Sequence, residues 1–141
     1  MTEGEAEFSL PLRVYIEDTD AGGIVYYVNY LKYMERARTE FMRARGFGKD
    51  YIFNSDLMFV VRDAAVRYRR PARLDDELVA TAALARLRGA AMVFRQSVRR
   101  GDTLLAEGDI TVACVDRAGL GARRLPAEVV QALATGGGAP G

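Results

Sequence analysis

The sequence predicts an α+β fold in which one long amphipathic helix is wrapped by a five-stranded antiparallel sheet. Three observations lead there. A strand-like segment near the N-terminus runs through a Gly-rich turn into a long stretch of helical periodicity, Ile24 to Arg45. Four segments with strand character follow, joined by short connections that carry Gly, Pro and Asp. A single helix cannot cover both faces of five strands, so the most economical packing curls the sheet around the helix and leaves the other side for a partner.

Each element has its own reason. Phe8 to Glu17 (FSLPLRVYIE) mixes alternation with β-branched and aromatic residues, which predicts a strand with Pro11 at an edge or bulge. Asp18-Thr19-Asp20-Ala21-Gly22-Gly23 then predicts a turn. From Ile24 to Arg45, Leu31, Met34, Ala37, Arg38, Phe41 and Met42 recur near three- and four-residue spacing, and Tyr30, Tyr33 and Ala44 widen the stripe. At ~1.5 Å per residue such a helix extends roughly 30 Å, the width of a small domain. Glu35 with Arg38 and Arg36 with Glu40 are spaced to pair on its polar side, and Gly46 is placed to end it.

After the looser stretch Phe47 to Asp56, strands are expected at Leu57 to Arg70, Glu77 to Arg88, Ala91 to Arg100 and Thr103 to Asp116. Alternation is clear in Met92, Phe94, Gln96 and Val98 against Val93, Arg95, Ser97 and Arg99. The connections Pro71 to Asp76, Gly89-Ala90 and Gly101-Asp102 are short and carry turn residues, so consecutive strands are expected to pair antiparallel. Leu125 to Ala134, with Pro126 near its start, predicts a short C-terminal helix. Residues 1–134 then form one domain, with 135–141 a disordered tail. No internal repeat is visible. A helix wrapped by a sheet is the layout called the hotdog fold.

Composition narrows the function. The 141 residues, half of them apolar, suffice to bury a core without disulfides or a structural metal. Twenty basic residues against nineteen acidic ones create no global field, so no nucleic-acid partner is expected. The basic residues are almost all Arg, whose forks suit phosphate, although a GC-rich genome gives the same bias. The single cysteine, Cys114, cannot form an intramolecular disulfide and reads as a core residue within the apolar run VACV. The acidic start MTEGEAEFSLPLR lacks the form of a secretory signal, and no apolar run approaches the roughly 20 residues that span a bilayer. A cytoplasmic protein without membrane insertion is expected.

The most informative number is zero: there is no histidine. Histidine is the usual general base near neutral pH, the partner of catalytic Ser or Cys, and the commonest metal ligand. Such chemistry is excluded within one chain. No phosphate-cradling G-x-x-x-x-G-K-[ST] or G-x-G-x-x-G follows a strand-like segment either. Neither a metal nor a separate cofactor is expected.

Attention therefore falls on the turn before the helix. Asp18, Thr19 and Asp20 are favoured caps and turn formers, and Gly22 and Gly23 supply backbone freedom, so by composition alone a structural role has the better odds. The helix start offers more. Its first turn exposes unpaired N–H groups and a partial positive charge that holds an anion or polarises a carbonyl. Two glycines bring backbone amides close to a ligand, and the amides of Tyr26, Tyr27 and Val28 are candidates for an oxyanion hole. Without histidine, a carboxylate is the natural nucleophile or base. A thioester suits this economy, because a thiol with a pKa around 8.5 departs as thiolate without a general acid.

At these residues the sequence resembles a known family. DTDAGGIVYYVNYLKYMERARTEFMR, followed in order by FVVRDAAVRYRRPARLDDEL, RGAAMVF and VACVD, is similar to the 4-hydroxybenzoyl-CoA thioesterase family of hotdog proteins, in its branch of acyl-CoA thioesterases associated with the Tol–Pal cell-envelope system. The resemblance runs from about Leu12 to Leu133. It implies hydrolysis of an acyl-CoA, coenzyme A being part of the substrate, by a homodimer or homotetramer with sites at the dimer interface. The family's catalytic carboxylate falls on Asp20, and its carbonyl-polarising backbone amide on Tyr27. The envelope-associated branch usually carries His at that position, whereas the 4-hydroxybenzoyl branch carries an aromatic, so an aromatic acyl group stands as the alternative substrate. Arg88 matches one of the family's coenzyme A-binding basic residues. Arg86 points the same way if its strand alternates, and Arg123 and Arg124 are placed to reach the nucleotide phosphates, though an ordinary surface role is the simpler reading for each. Asp63, Asp75 and Asp76 read as strand-end and turn residues, and Tyr26, Tyr30 and Tyr33 as core and interface aromatics. A non-catalytic interaction protein is the rival from another class. A hotdog hydratase is not, since those enzymes resemble one another in needing a His.

Overall fold

The computed structural model describes residues 7–48 and 55–134; the expected C-terminal tail lies outside them. Strand β1 (Phe8–Arg13) leads through a 3-10 turn (Ile16–Asp18) to helix α1 (Val28–Ala44). Strands β2 (Leu57–Tyr68), β3 (Glu77–Arg88), β4 (Ala91–Arg100) and β5 (Thr103–Asp116) follow, and α2 (Ala127–Ala134) closes the chain. The strands form one antiparallel sheet in the order β1-β3-β4-β5-β2.

Helix α1 buries the centre of the stripe that its periodicity predicts, with Leu31, Arg38 and Met42 half-buried and Ala44 exposed. Tyr30, Tyr33, Met34, Ala37 and Phe41 are buried against the sheet. It rests mainly on β3, where Ala80 and Ala82 are fully buried and their small side chains admit the helix closely. Phe41 meets Phe94 of β4 edge-on, with ring centroids 5.2 Å apart, a pairing worth about 0.5–1.5 kcal/mol beyond area burial. The helix ends as its sequence predicts. Gly46 adopts φ 95°, its amide donates to Arg43 O and the Phe47 amide to Met42 O, both at 3.0 Å, which is the Schellman stop. The polar face pairs differently from expectation: Arg43 bridges Glu40, and Arg38 turns inward to donate to Gln96 Oε1 at 3.0 Å.

Strands β3, β4 and β5 keep their expected bounds, because alternation inside each is bracketed by glycine turns. Gly89 and Gly101 take φ 58° and 59° at the first central position of two-residue hairpins, a place that favours glycine. The other expectations shift. The first strand stops at Arg13, since Ile16–Asp18 winds into a 3-10 turn. The helix begins at Val28 rather than Ile24. Val25 N–H is taken by Ala72 O at 2.9 Å, and Ile24 bridges Arg73, so those residues are extended. Strand β2 ends at Tyr68 rather than Arg70, and α2 begins at Ala127, just after Pro126.

The larger correction concerns pairing. Consecutive strands β2 and β3 are not neighbours; β2 pairs with β5, and β3 lies between β1 and β4. The connection between them passes the start of α1, where Tyr30 Oη accepts the Ala72 amide at 2.9 Å. Crossing there places β2 at the far edge of the sheet. Gly108 of β5, paired with Val66, lets the β2 backbone approach closely: a Cβ on Gly108 would lie 2.3 Å from Ala65 O.

Candidate active site

The turn that carries Asp20 is a closed loop. Asp20 N–H donates to Ile24 O at 3.0 Å, Gly23 N–H donates to Asp20 O at 3.0 Å, and Thr19 bridges Val25. Asp20 Oδ1 accepts the Gly22 amide at 2.8 Å, the Asx-turn contact that makes Asp a turn former. The structural and chemical readings of this residue therefore coexist. Oδ1 serves the turn, while Oδ2 has no hydrogen-bond partner among the described residues. Gly23 needs its glycine, with φ 81°. Both glycine amides are spent within the turn on Asp20 itself, which removes them from the set expected to meet a ligand directly.

At the helix start the expected amides separate. Tyr26 N–H donates to Asp18 O at 3.0 Å, so it is not free to polarise a carbonyl. Asn29 and Tyr30 amides close short bonds to Tyr26 O and Tyr27 O. The N–H groups of Tyr27 and Val28 have no acceptor among the described residues. Tyr27 is the N-cap and offers no side-chain cap, so the donors at this helix end stay open. An open pair of amides at the positive end of a 17-residue helix, with a carboxylate on the adjoining loop, can bind a carbonyl oxygen and present an oxygen nucleophile or base.

Tyr27 is 57 % exposed and sits in an aromatic group with Tyr26 (centroids 5.1 Å) and Tyr68 (5.9 Å). Tyr68 also packs against the buried Tyr30 at 5.6 Å. Burial pushes the Tyr68 phenol up, and the neighbouring Tyr27 and Tyr30 add to the shift. Tyr68 was not legible as a site neighbour, being brought from the far end of β2. Asn29 did carry a signal, a polar residue on an apolar stripe. It is 7 % exposed, and its Nδ2 donates to Asp18 Oδ1 at 3.1 Å.

The candidate arginines lie elsewhere in the chain. Strand β3 starts beside the Asp20 turn, where Leu74 N–H donates to Gly23 O at 3.1 Å and Arg13 pairs with Glu77. Arg88 is at the other end of that twelve-residue strand, roughly 36 Å away at about 3.3 Å per residue. Arg86 and Arg88 are exposed and two apart in continuous register, opposite Val93 and Ala91, so they share a face as expected. Arg88 and Arg124 line one cavity of about 470 Å³ with Gln131. Arg123 is otherwise engaged: its Nη1 donates to Asp116 Oδ1 at 2.8 Å and its Nη2 to Asp56 Oδ1 at 3.4 Å. Cys114 is buried, which pushes its thiol up, and it takes no part in the site.

A second cavity, of about 400 Å³, opens between the C-terminal half of α1 and β2. Leu57, Phe59, Val61, Met92 and Phe94 make it largely apolar, and Glu35, Arg38 and Thr39 line its helix side. Because β2 runs antiparallel to α1, with Tyr68 at the helix start, this cavity is at the end of the helix away from Asp20. Among the described residues no helix is long and apolar enough to cross a membrane.

Comparison with known proteins agrees with this fold. The family model for the thioesterase-like superfamily matches residues 14–133. The chain is 43 % identical over 124 residues to a protein of Escherichia coli O6:H1 named acyl-CoA thioester hydrolase YbgC, covering 87 % of this chain and 92 % of that one. It is 40 % identical over 127 residues to the acyl-CoA thioesterase YbgC of Haemophilus influenzae, covering 89 % and 93 %. A probable thioesterase from Bartonella henselae has the same fold, with a TM-score of 0.81 at 34 % identity over 86 % of this chain and all of that one. A 1,4-dihydroxy-2-naphthoyl-CoA thioesterase from Synechocystis, at 19 % identity and TM-score 0.82 over 90 % and 95 % of the two chains, is alike in fold alone.

Proposed function

Since the chain belongs to the thioesterase-like superfamily, we propose that it hydrolyses acyl-CoA thioesters with the carboxylate of Asp20 and the open amides at the start of α1. The class of activity follows from relatives named as acyl-CoA thioester hydrolases at 40–43 % identity over most of the chain. One observation carries the residue assignment. Asp20 has one oxygen fixed by Gly22 and the other open, beside a helix whose Tyr27 and Val28 amides await an acceptor.

In the reaction the thioester carbonyl oxygen sits on the Tyr27 N–H. Negative charge develops on that oxygen as the carbonyl carbon becomes tetrahedral, and the amide holds it without reorganising. Two routes are open to the carboxylate. Asp20 Oδ2 attacks the carbonyl carbon, the C–S bond breaks with its electron pair going to sulfur, and water then hydrolyses the mixed anhydride. Alternatively Oδ2 takes a proton from a water that attacks. Label found in Asp20 after a single turnover in heavy-oxygen water requires the anhydride route. The thiolate leaves unaided on either route, so the reaction needs no histidine and no cofactor beyond the coenzyme A of the substrate.

The reading extends to a homo-oligomer built through β2. Strand β1 is short and carries Pro11, whereas β2 is a twelve-residue edge without proline. Pairing β2 with its copy about a two-fold axis reverses its direction. The apolar cavity at the Leu57 end of one protomer then faces the Tyr68 and Asp20 end of the other, and Arg88 and Arg124, which lie toward the Leu57 end of the sheet, come toward that same end of the other copy. A cytoplasmic location and association with the Tol–Pal envelope system belong to the same reading, the second resting on the motif resemblance. The test is release of coenzyme A from short, long and aromatic acyl-CoAs. Hydrolysis within this panel is expected, with the preferred acyl group read from kcat/KM. No turnover on any member contradicts the assignment, and Tyr27 in place of His makes the aromatic members the informative ones.

A further inference from the structure

Asp18 lies two residues before Asp20 and takes no part in the chemistry above. Its Oδ2 accepts the Tyr15 amide at 2.9 Å and its Oδ1 accepts Asn29 Nδ2 at 3.1 Å. Its carbonyl accepts Tyr26 N–H at 3.0 Å and Asn29 Nδ2 again at 3.2 Å. One residue thus joins the end of the first-strand segment, the residue before Tyr27 and the first turn of α1. Asn29 is buried in a stripe otherwise made of Tyr30, Tyr33 and Met34, where an amide side chain is costly unless its hydrogen bonds are made. One turn on, the Tyr33 hydroxyl is buried beside the Asp18 carboxylate. Burial and the neighbouring Asp18 carboxylate both push its phenol up.

The contacts of Asp20 itself stay inside its own loop: Gly22 and Gly23 amides and Ile24 O. On one side the loop is tethered to the β2–β3 connection, through Leu74 N–H to Gly23 O and the Ile24–Arg73 bridge. On the other side, among the described residues, Asp18 ties the loop to α1 through the Asn29 side chain, with the Tyr33 hydroxyl beside the same carboxylate. We propose that Asp18 and Asn29 are positioning residues for hydrolysis, their contact fixing the Asp20 carboxylate relative to the Tyr27 and Val28 amides. The inference rests on the reading of Asp20 as the reacting carboxylate. A carboxylate and an oxyanion site on separate segments work together only at a set distance, and a misplacement of about 1 Å costs on the order of 100-fold in rate.

The test compares Asp18→Asn, Asn29→Ser and the exchange Asp18→Asn/Asn29→Asp with the full-length wild type on one acyl-CoA. Asn29→Ser leaves the Tyr15 and Tyr26 contacts of Asp18 in place, so it reports on the tie even where Asp18→Asn fails to fold. In the exchange, Asn at 18 can still accept Tyr15 N–H and donates its amide to Asp at 29, which restores the side-chain contact and loses only the bond from residue 29 to the carbonyl of residue 18. Each single variant is expected to lower kcat by about 10- to 100-fold while KM stays within about threefold, since substrate binding groups are untouched. The exchange is expected to recover part of the lost kcat. Unchanged kcat in Asn29→Ser overturns the proposal, and so does an exchange no better than the worse single variant. Asp20→Asn run alongside separates the two readings. If it is inactive while Asn29→Ser is fully active, positioning alone fails; if Asp20→Asn is active, both fail.

Discussion

Asp20 Oδ1 stands 2.8 Å from the Gly22 amide, so a single carboxylate both closes its turn and keeps one oxygen open. The two glycines beside it then differ in what they tolerate. A Cβ on Gly22 meets Asp20 Oδ1 at 3.4 Å, ordinary contact, whereas Gly23 sits at φ 81°. Gly23→Ala is expected to destabilise the protein by about 1–2 kcal/mol, and Gly22→Ala by less than about 0.5 kcal/mol. Urea unfolding of both variants checks the order; equal losses would show that the backbone at 23 carries no such demand.

Gln96 predicts a second stability effect. It is buried, its Nε2 donates to Met34 O at 2.9 Å and to Thr81 O at 3.0 Å, and its Oε1 accepts Arg38 Nη1 at 3.0 Å. It therefore ties α1 to the sheet and gives the half-buried Arg38 guanidinium an acceptor. Gln96→Leu strands that charge and should cost about 1–3 kcal/mol despite the gain in apolarity. A variant as stable as wild type in thermal melts would contradict this.

The pH dependence of stability has one clear source in Asp76. Burial alone would raise its carboxyl, but the Arg73 amide and Arg100 Nη1, each at 2.8 Å, outweigh that and hold it below the ordinary 3.8. A folded-state pKa below the unfolded one gives stability that is present above the unfolded value and is lost as pH falls through the folded one. Wild type should therefore lose stability as pH drops below about 4. Asp76→Asn should be less stable at pH 7 and lose less over that window. Denaturant midpoints at pH 7 and pH 3 decide, and parallel losses in the two proteins would count against the assignment.

Edge strand β2 predicts the assembly. Val61 is 52 % exposed on that strand and lines the apolar cavity. Val61→Glu places like charges near one another across the proposed two-fold axis. Sedimentation should show a shift toward monomer, accompanied by loss of thioesterase activity. An active monomer would contradict a site shared between copies.

How much of this was legible in the sequence depends on the range of the interaction. Alternation and glycine turns delimit β3, β4 and β5 because both signals are local. Periodicity does not name a strand's partner, so the crossing of the Arg69–Asp76 connection and the β2–β5 pairing were out of reach. The helix start was misplaced because the apolar run Ile24–Tyr27 suits a helix as well as the extended segment that Ala72 and Arg73 make of it. In the site, Asp20 and the Tyr27 amide stood out through local chemistry. That Tyr26 N–H is taken by Asp18 O, and that Arg123 is paired with Asp56 and Asp116, depends on contacts that composition does not encode.

The central claim is that the Asp20 carboxylate performs the hydrolysis. Its most direct test is kcat of Asp20→Asn on the acyl-CoA that wild type prefers, with folding verified by the melting curve. Asparagine retains an oxygen for the Gly22 amide and so keeps the turn, while removing the nucleophile or base. A fall in kcat of about 100-fold or more with an unchanged melt is expected. A folded Asp20→Asn protein with near-normal kcat would contradict it.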